Sequence, residues 1–310
     1  MQRVLTTATL VGLLVATAAA FAITERLKLV KSPIYGTKIT TVFSPSCGCS
    51  TAKATISLKF RRRDRVTVAV LDGRRHVVRT LAFGELVPRG RSVFHWDGKT
   101  DAGVRARDAR YKVQVHLENQ HRTILLPNVI SLDTKPPEVL DARTNRMQLS
   151  PDGDHLGDTV TIEYVLSKPA HVLVYLHGRR IIRGRSHRLR GGVVWTGYVN
   201  GRVLKPGVVT LTVGAVDLAG NRTPVEARAN VPVEIRYIAL ANRHITGVAA
   251  GRLFEIGVST DAKKYRWRLG TRAGIASGPV LRLRAPRVAG RYRLLVLLHG
   301  HSDAATVIVK

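Results

Sequence analysis

Two stretches of this chain are copies of each other, 106 positions apart. Phe43-Ser44-Pro45 through Leu71 lies on Leu149-Ser150-Pro151 through His177 without a gap. Ile56 falls on Ile162, Leu58 on Tyr164, Phe60 on Leu166, Val66 on Val172 and Val68 on Val174. These apolar positions alternate with polar ones, the period of a strand with one buried face rather than of a helix. A Gly-Arg pair follows each copy (Gly73-Arg74, Gly178-Arg179), and a Trp comes later (Trp96, Trp195). A chain of 310 residues suits two or three domains. The repeat therefore predicts an array of β-sandwich modules. Trp96, Trp195 and Trp267 are spaced as one large anchor for each core.

The first module is expected over residues 43–136. Ala54, Ile56, Leu58 and Phe60 alternate, as do Val66, Val68 and Val70, and then Tyr111, Val113, Val115 and Leu117. Asp72-Gly73 is a hairpin signal, and Pro136-Pro137 closes the module because paired prolines interrupt a sheet. The second module covers 137–238. Val160, Ile162 and Tyr164 predict one strand, and Val172, Val174 and Leu176 the next. Asp217 and Asn221 bound a turn, and Val231, Val233 and Ile235 form the last strand. The third, 239–310, has different punctuation: Ile256 and Val258, Tyr265 and Trp267, Leu281 and Leu283, and Tyr292 through Leu298.

Ahead of these, Val4–Thr24 holds no charge. At ~1.5 Å per residue a helix of this length matches the ~30 Å of a bilayer core. Residues 1–24 are expected to be a signal anchor or, through Ala20-Phe21-Ala22, a cleavable signal peptide. Residues 25–42 form a basic juxtamembrane linker. Arg26, Lys28 and Lys31 would favour a cytoplasmic body by the positive-inside rule, but long domains translocate largely regardless of charge. The modules are expected outside the cell membrane on a single-pass protein, or secreted if the signal is cleaved.

The formal charge of +29 attracts polyanions such as acidic wall polymer or anionic lipid. Arginine is scattered through every segment, and aromatics are only 5%, so stacking platforms for single-stranded nucleic acid are scarce. Nucleic acid is not the expected partner, and no small-molecule substrate is indicated.

The order strand, Gly-Arg hairpin, strand, Trp96-Asp97-Gly98, Asp101-Ala102-Gly103 and Tyr111 strand resembles the immunoglobulin-like domain of flagellar hook-capping proteins. That module recurs in bacterial surface proteins. The family's Gly before the Tyr is replaced by Asp108-Ala109-Arg110, and the second module reads Trp195-Thr196-Gly197 with Val209 in the place of the Tyr. The third is similar to polycystic-kidney-disease-type and other bacterial immunoglobulin-like domains through Tyr265-x-Trp267 and Gly290-Arg291-Tyr292. The resemblance implies an all-β fold of tandem immunoglobulin-like β-sandwiches, which the uncharged run over 4–24 would precede with one transmembrane or signal helix. It says little about function.

Two loops carry candidate sites. Ser150 to Asp158 (SPDGDHLGD) resembles an opening common before such domains, and Asp152, Asp154 and Asp158 could converge on calcium, which takes six to eight oxygens. The alternative is an entry turn whose carboxylates bond its own backbone. At the same place the first module has Cys47-Gly48-Cys49, the chain's two cysteines. A disulfide across one residue, free thiols, an intermolecular bridge and two soft metal ligands are all open. Each module is expected to fasten its entry loop differently, one by sulfur and one by acids or a cation. His299-Gly300-His301 could offer two metal ligands but reads more simply as a turn. No nucleophile elbow, H-E-x-x-H, P-loop or dinucleotide glycine pattern occurs, so no catalytic residue and no cofactor is expected. The functions left are adhesion or envelope scaffolding, with polyanion binding through the basic surface as the alternative.

Overall fold

The computed structural model describes residues 10–22 and 31–310. Residues 10–22 form a helix with an exposed surface. Among the described residues no helix is long and apolar enough to cross a membrane. The ends of the expected span 4–24, and linker residues 25–30, lie outside the described residues. The chain divides into two compact units, one ending at Thr134 and one spanning Lys135–Lys310.

The first unit is a sandwich of eight strands: β1 Ile34–Ile39, β2 Val42–Phe43, β3 Ala54–Phe60, β4 Asp64–Leu71, β5 Val77–Val87, β6 Gly90–Trp96, β7 Ala109–Leu117 and β8 Arg122–Leu132. One sheet has the order β1-β3-β6 and the other β2-β8-β7-β4-β5. β2 runs parallel to β8, and the other pairings are antiparallel. The alternating residues of β3, β4 and β7 supply the core between the sheets, with Phe43, Trp96 and Ile130.

β1 falls in the stretch expected to be linker. Only its end residues Ile34 and Ile39 are buried, and its register slips between Tyr35 and Lys38, so it carries no alternation to read. The Asp72-Gly73 hairpin also differs. The left-handed residue is Arg75, not Gly73. The turn extends to His76 because the Asp72 carboxylate accepts the backbone N–H groups of Arg74 and His76. Those bonds, the His76 amide first, hold the Asp72 carboxyl below the usual carboxylate range.

The second unit contains two separate cores. Around the first run β9 Val139–Thr144, β10 Gln148–Leu149, β11 Val160–Leu176, β12 Arg179–Arg183, β13 Arg188–Trp195, β14 Tyr198–Val199, β15 Arg202–Val203, β16 Gly207–Val216 and β17 Ala229–Ile235. The two strands expected over 160–176 are one. β11 pairs with β9 and β13 over its first half and with β16 and β12 over its second, so it belongs to both sheets. In the first sandwich Arg61–Arg63 interrupt the corresponding run. Here the chain stays extended through Ser167 and Lys168, where Ser167 Oγ accepts the Glu138 amide and Lys168 pairs with the buried Asp217 carboxylate at 2.7 Å.

Around the other core run β18 Ala239–Leu240, β19 His244–Val248, β20 Leu253–Ser259, β21 Tyr265–Leu269, β22 Arg272–Ala276, β23 Val280–Arg284, β24 Gly290–Leu298 and β25 His301–Val309. Their sheets are β18-β20-β23 and β19-β25-β24-β21-β22. This is the strand order of the first sandwich, and the parallel pairing of β2 with β8 recurs as β19 with β25. The second sandwich follows the same order once β11 is counted in both sheets. One topology is thus used three times. The expected anchors are less uniform. Trp96 and Trp195 are buried, but Trp267 is half-buried and lies over Gly274, and Tyr265 fills that core.

Candidate functional site

Both candidate loops open their sandwiches from a serine. In the first, the Ser44 N–H donates to the Thr51 carbonyl; in the second, the Ser150 N–H donates to the Gly157 carbonyl. Each closure joins residues seven positions apart, so the loops are geometric counterparts as well as sequence counterparts. Both pack on a Trp-x-Gly turn. Trp96 Nε1 donates to the Lys99 carbonyl at 2.8 Å, and Trp195 Nε1 to the Tyr198 carbonyl at 3.3 Å. Gly98 and Gly197, at φ +77° and +74°, then lie against Pro45 and Pro151 of the entry loops. A side chain at either glycine would meet the proline ring, which explains why the glycine survives where the Asp of Trp-Asp-Gly has become Thr196.

Inside the loops the chemistry differs. The structure joins Cys47 and Cys49 by a disulfide, with the Thr51 hydroxyl 2.9 Å from Cys49 Sγ. Asp152, Asp154 and Asp158 converge, with one oxygen from each lying within 4.8 Å of the others. Asp158 accepts the N–H groups of Gly153 and His155, Asp154 that of Leu156, and Asp152 that of Asp154. These oxygens are the donor type calcium prefers, but three carboxylates supply part of its shell and each already holds a backbone amide. The same carboxylates thus bond the loop's own backbone and present oxygens to a common point.

The third core reaches this loop. His299 and Gly300 form a two-residue hairpin with both residues left-handed, which fits a His-Gly pair. From it His299 Nδ1 lies 3.2 Å from the Asp152 carboxylate, whose side chain is fully buried. His301 stacks on Tyr237 with ring centroids 3.4 Å apart and planes 2° from parallel. Burial lowers the His301 pKa, and Asp152 partly offsets this. Asp261 also faces the loop. Its carboxylate lies where a Gly157 side chain would be, and burial first, then the Asp152 and Asp154 charges, raise its pKa. Beside it a cleft of about 570 Å³ is lined by Arg146, Gln148, Arg236 and Thr260. The two histidines thus serve as a clasp within the second unit, a role the sequence did not signal.

The tyrosine corners complete the framework. Tyr111 OH donates to the Arg107 carbonyl at 2.6 Å, and Tyr292 OH to the Val288 carbonyl at 2.9 Å, both four residues back. In the second sandwich, where Val209 stands in the Tyr position, Tyr237 OH reaches the Leu204 carbonyl from beyond β17. Its ring also carries His301, so one residue fills the missing corner and anchors the clasp. The buried carboxylates are structural. Asp64 accepts the Asn119 N–H and Gln120 Nε2, and Asp217 accepts both nitrogens of Asn221.

No curated protein matches the chain. Among solved structures, a three-immunoglobulin fragment of titin is similar at 12% identity, covering 91% of this chain and 99% of its own, with a TM-score of 0.30. Three amino-terminal domains of the highly immunogenic outer capsid protein of bacteriophage RB49 are similar at 11% identity, covering 89% and 99%, with a TM-score of 0.28. The D0-D1 domain of intimin is similar at 12% identity, covering 64% and 95%, with a TM-score of 0.24. Residues 48–121, inside the first sandwich, match the family model described as the FlgD Ig-like domain, and with its strand order repeated the chain is a tandem array of immunoglobulin-like domains.

Proposed function

We propose that this chain is a non-enzymatic, membrane-attached protein of the cell envelope that presents immunoglobulin-like modules outside the cell for adhesion or scaffolding. The observation that carries it is the threefold use of one strand order with a separate core each time. Repetition of a core preserves a spacer, while the edges and loops left exposed are free to differ and to recognise partners. Domains of this type occur widely outside cells, and their fold is typically non-enzymatic. The buried carboxylates support the same reading, because each is held by structural hydrogen bonds. Attachment would be through the apolar run 4–24.

The test is protease treatment of intact cells carrying a tag after Lys310, with the mass of the recovered amino terminus. Loss of the tag from intact cells is the expected result, and a mass that retains Val4–Thr24 distinguishes an anchor from a cleaved signal. A tag protected until lysis would overturn the outside location. A second reading, polyanion binding, is favoured by the arrangement of arginines on the third sandwich.

A further inference from the structure

One face of the third sandwich's five-stranded sheet carries an ordered line of positive charge. Along β24, Leu294, Val296 and Leu298 are buried, and Arg291, Arg293, Leu295 and Leu297 occupy the outward positions. On the neighbouring β21, Tyr265 and Leu269 are buried and Arg266 and Arg268 are exposed. The register sets Arg268 beside Leu295 and Arg266 beside Leu297. Successive outward positions lie ~7 Å apart along a strand, and adjacent strands ~4.8 Å apart. Arg291, Arg293, Arg268 and Arg266 therefore follow one another in a diagonal row about 20 Å long.

Nothing acidic interrupts this row. The outward residues of β25 beside it are Ser302, Ala304, Thr306 and Ile308. The ion pairs recorded in this sandwich, Arg243 with Asp303 and Arg282 with Glu255, use other arginines. A shallow hollow lies at each end of the row, one bordered by Arg243, His244, Arg291 and Arg293, the other by Lys264, Arg266 and Ile275. From residue 239 onward there are thirteen Lys and Arg against three Asp and Glu, so the local field has the same sign as the row.

We infer that this row is a docking surface for a linear acidic envelope polymer with about one negative charge per monomer. The inference deepens the polyanion reading and rests on it. Guanidinium groups bind carboxylate or phosphate through two parallel hydrogen bonds. Exposed pairs are individually weak, so four in line act by adding contacts along one strand of ligand. The row is single file, with uncharged residues on its β25 flank. That shape matches a chain laid along it better than a lipid surface, whose charge extends in two dimensions.

The experiment uses the whole chain and polygalacturonate as probe, with binding measured at about 50 and about 200 mM sodium chloride. One variant carries Arg266→Gln, Arg268→Gln, Arg291→Gln and Arg293→Gln. A control carries Arg179→Gln, Arg180→Gln, Arg188→Gln and Arg190→Gln on β12 and β13, with the same loss of charge. The row variant is expected to bind about tenfold more weakly with a flatter salt dependence, and the control within about threefold of the parent. Each half of the row changed alone should cost about threefold, which tests the surface even if the fourfold variant fails to fold. Equal weakening in variant and control would overturn the row but leave polyanion binding standing. Absence of binding by the parent would overturn the polyanion reading itself. Tighter, row-dependent binding to phosphatidylglycerol vesicles or to a single-stranded oligonucleotide would overturn the polymer assignment.

Discussion

Gly98 and Gly197 show what individual residues do here. Both are left-handed, and a Cβ on Gly98 would lie 3.0 Å from Pro45 and 3.2 Å from Leu132, one on Gly197 2.8 Å from Pro151. Gly98→Ala should therefore cost about 2–4 kcal/mol, the sum of left-handed strain and overpacking. Urea unfolding of the whole chain should show the loss in the transition of the first sandwich, and Gly197→Ala the same in the second unit. Asp261 gives a prediction of opposite sign. Its carboxyl pKa is raised in the folded chain by burial and then by neighbouring acids, so its ionised form opposes folding. That penalty is full at neutral pH and disappears as pH falls below the unfolded value near 3.8. Asp261→Asn should raise the Tm of the second unit at pH ~7 and lose that advantage towards pH ~3.8. The Trp-x-Gly turns were legible because their residues are adjacent. Tyr237 and Asp261 were not, because each acts on a segment far from it in sequence.

At the scale of elements, legibility followed periodicity. β3, β7 and β24 bury alternate residues and could be read directly, as could the first half of β4, before its last four residues all become buried. β1 buries only its ends, and β11 runs through a polar interval that looked like a break. The shared topology of the third sandwich was hidden because its turns lack the Trp-x-Gly signature, although its hydrophobic alternation marked several of its strands, β20 and β24 among them. The entry loops differ in chemistry but not in closure, and this bears on what the disulfide contributes. A ring this small removes little unfolded-chain entropy, and the loop keeps its Ser44 to Thr51 and Ala52 to Cys49 backbone bonds. Cys47→Ser with Cys49→Ser is expected to cost less than about 2 kcal/mol in urea unfolding. In the acidic loop, whose amides already hold the carboxylates, added calcium should move the Tm by less than about 1 °C. A larger calcium shift would show that the carboxylates trade their amides for a cation.

At the scale of the whole molecule, function as a spacer depends on whether neighbouring sandwiches behave as one body. Linked domains with small polar junctions are expected to move relative to each other. The second and third cores share more than a junction, since His299 meets the buried Asp152 and His301 stacks on Tyr237, which also closes the corner of the second sandwich. Removing the clasp should therefore uncouple the two cores without dismantling either. The variant His299→Ala with His301→Ala is expected to split a single calorimetric transition of the second unit into two, while circular dichroism keeps its β content. His301→Phe should restore most of the coupling, because the stack needs a flat ring over Tyr237 rather than a charge. If the double alanine variant still melts as one unit, coupling lies in the cleft-side contacts around Arg236, whose guanidinium donates to Ser259, and the histidines are incidental to it.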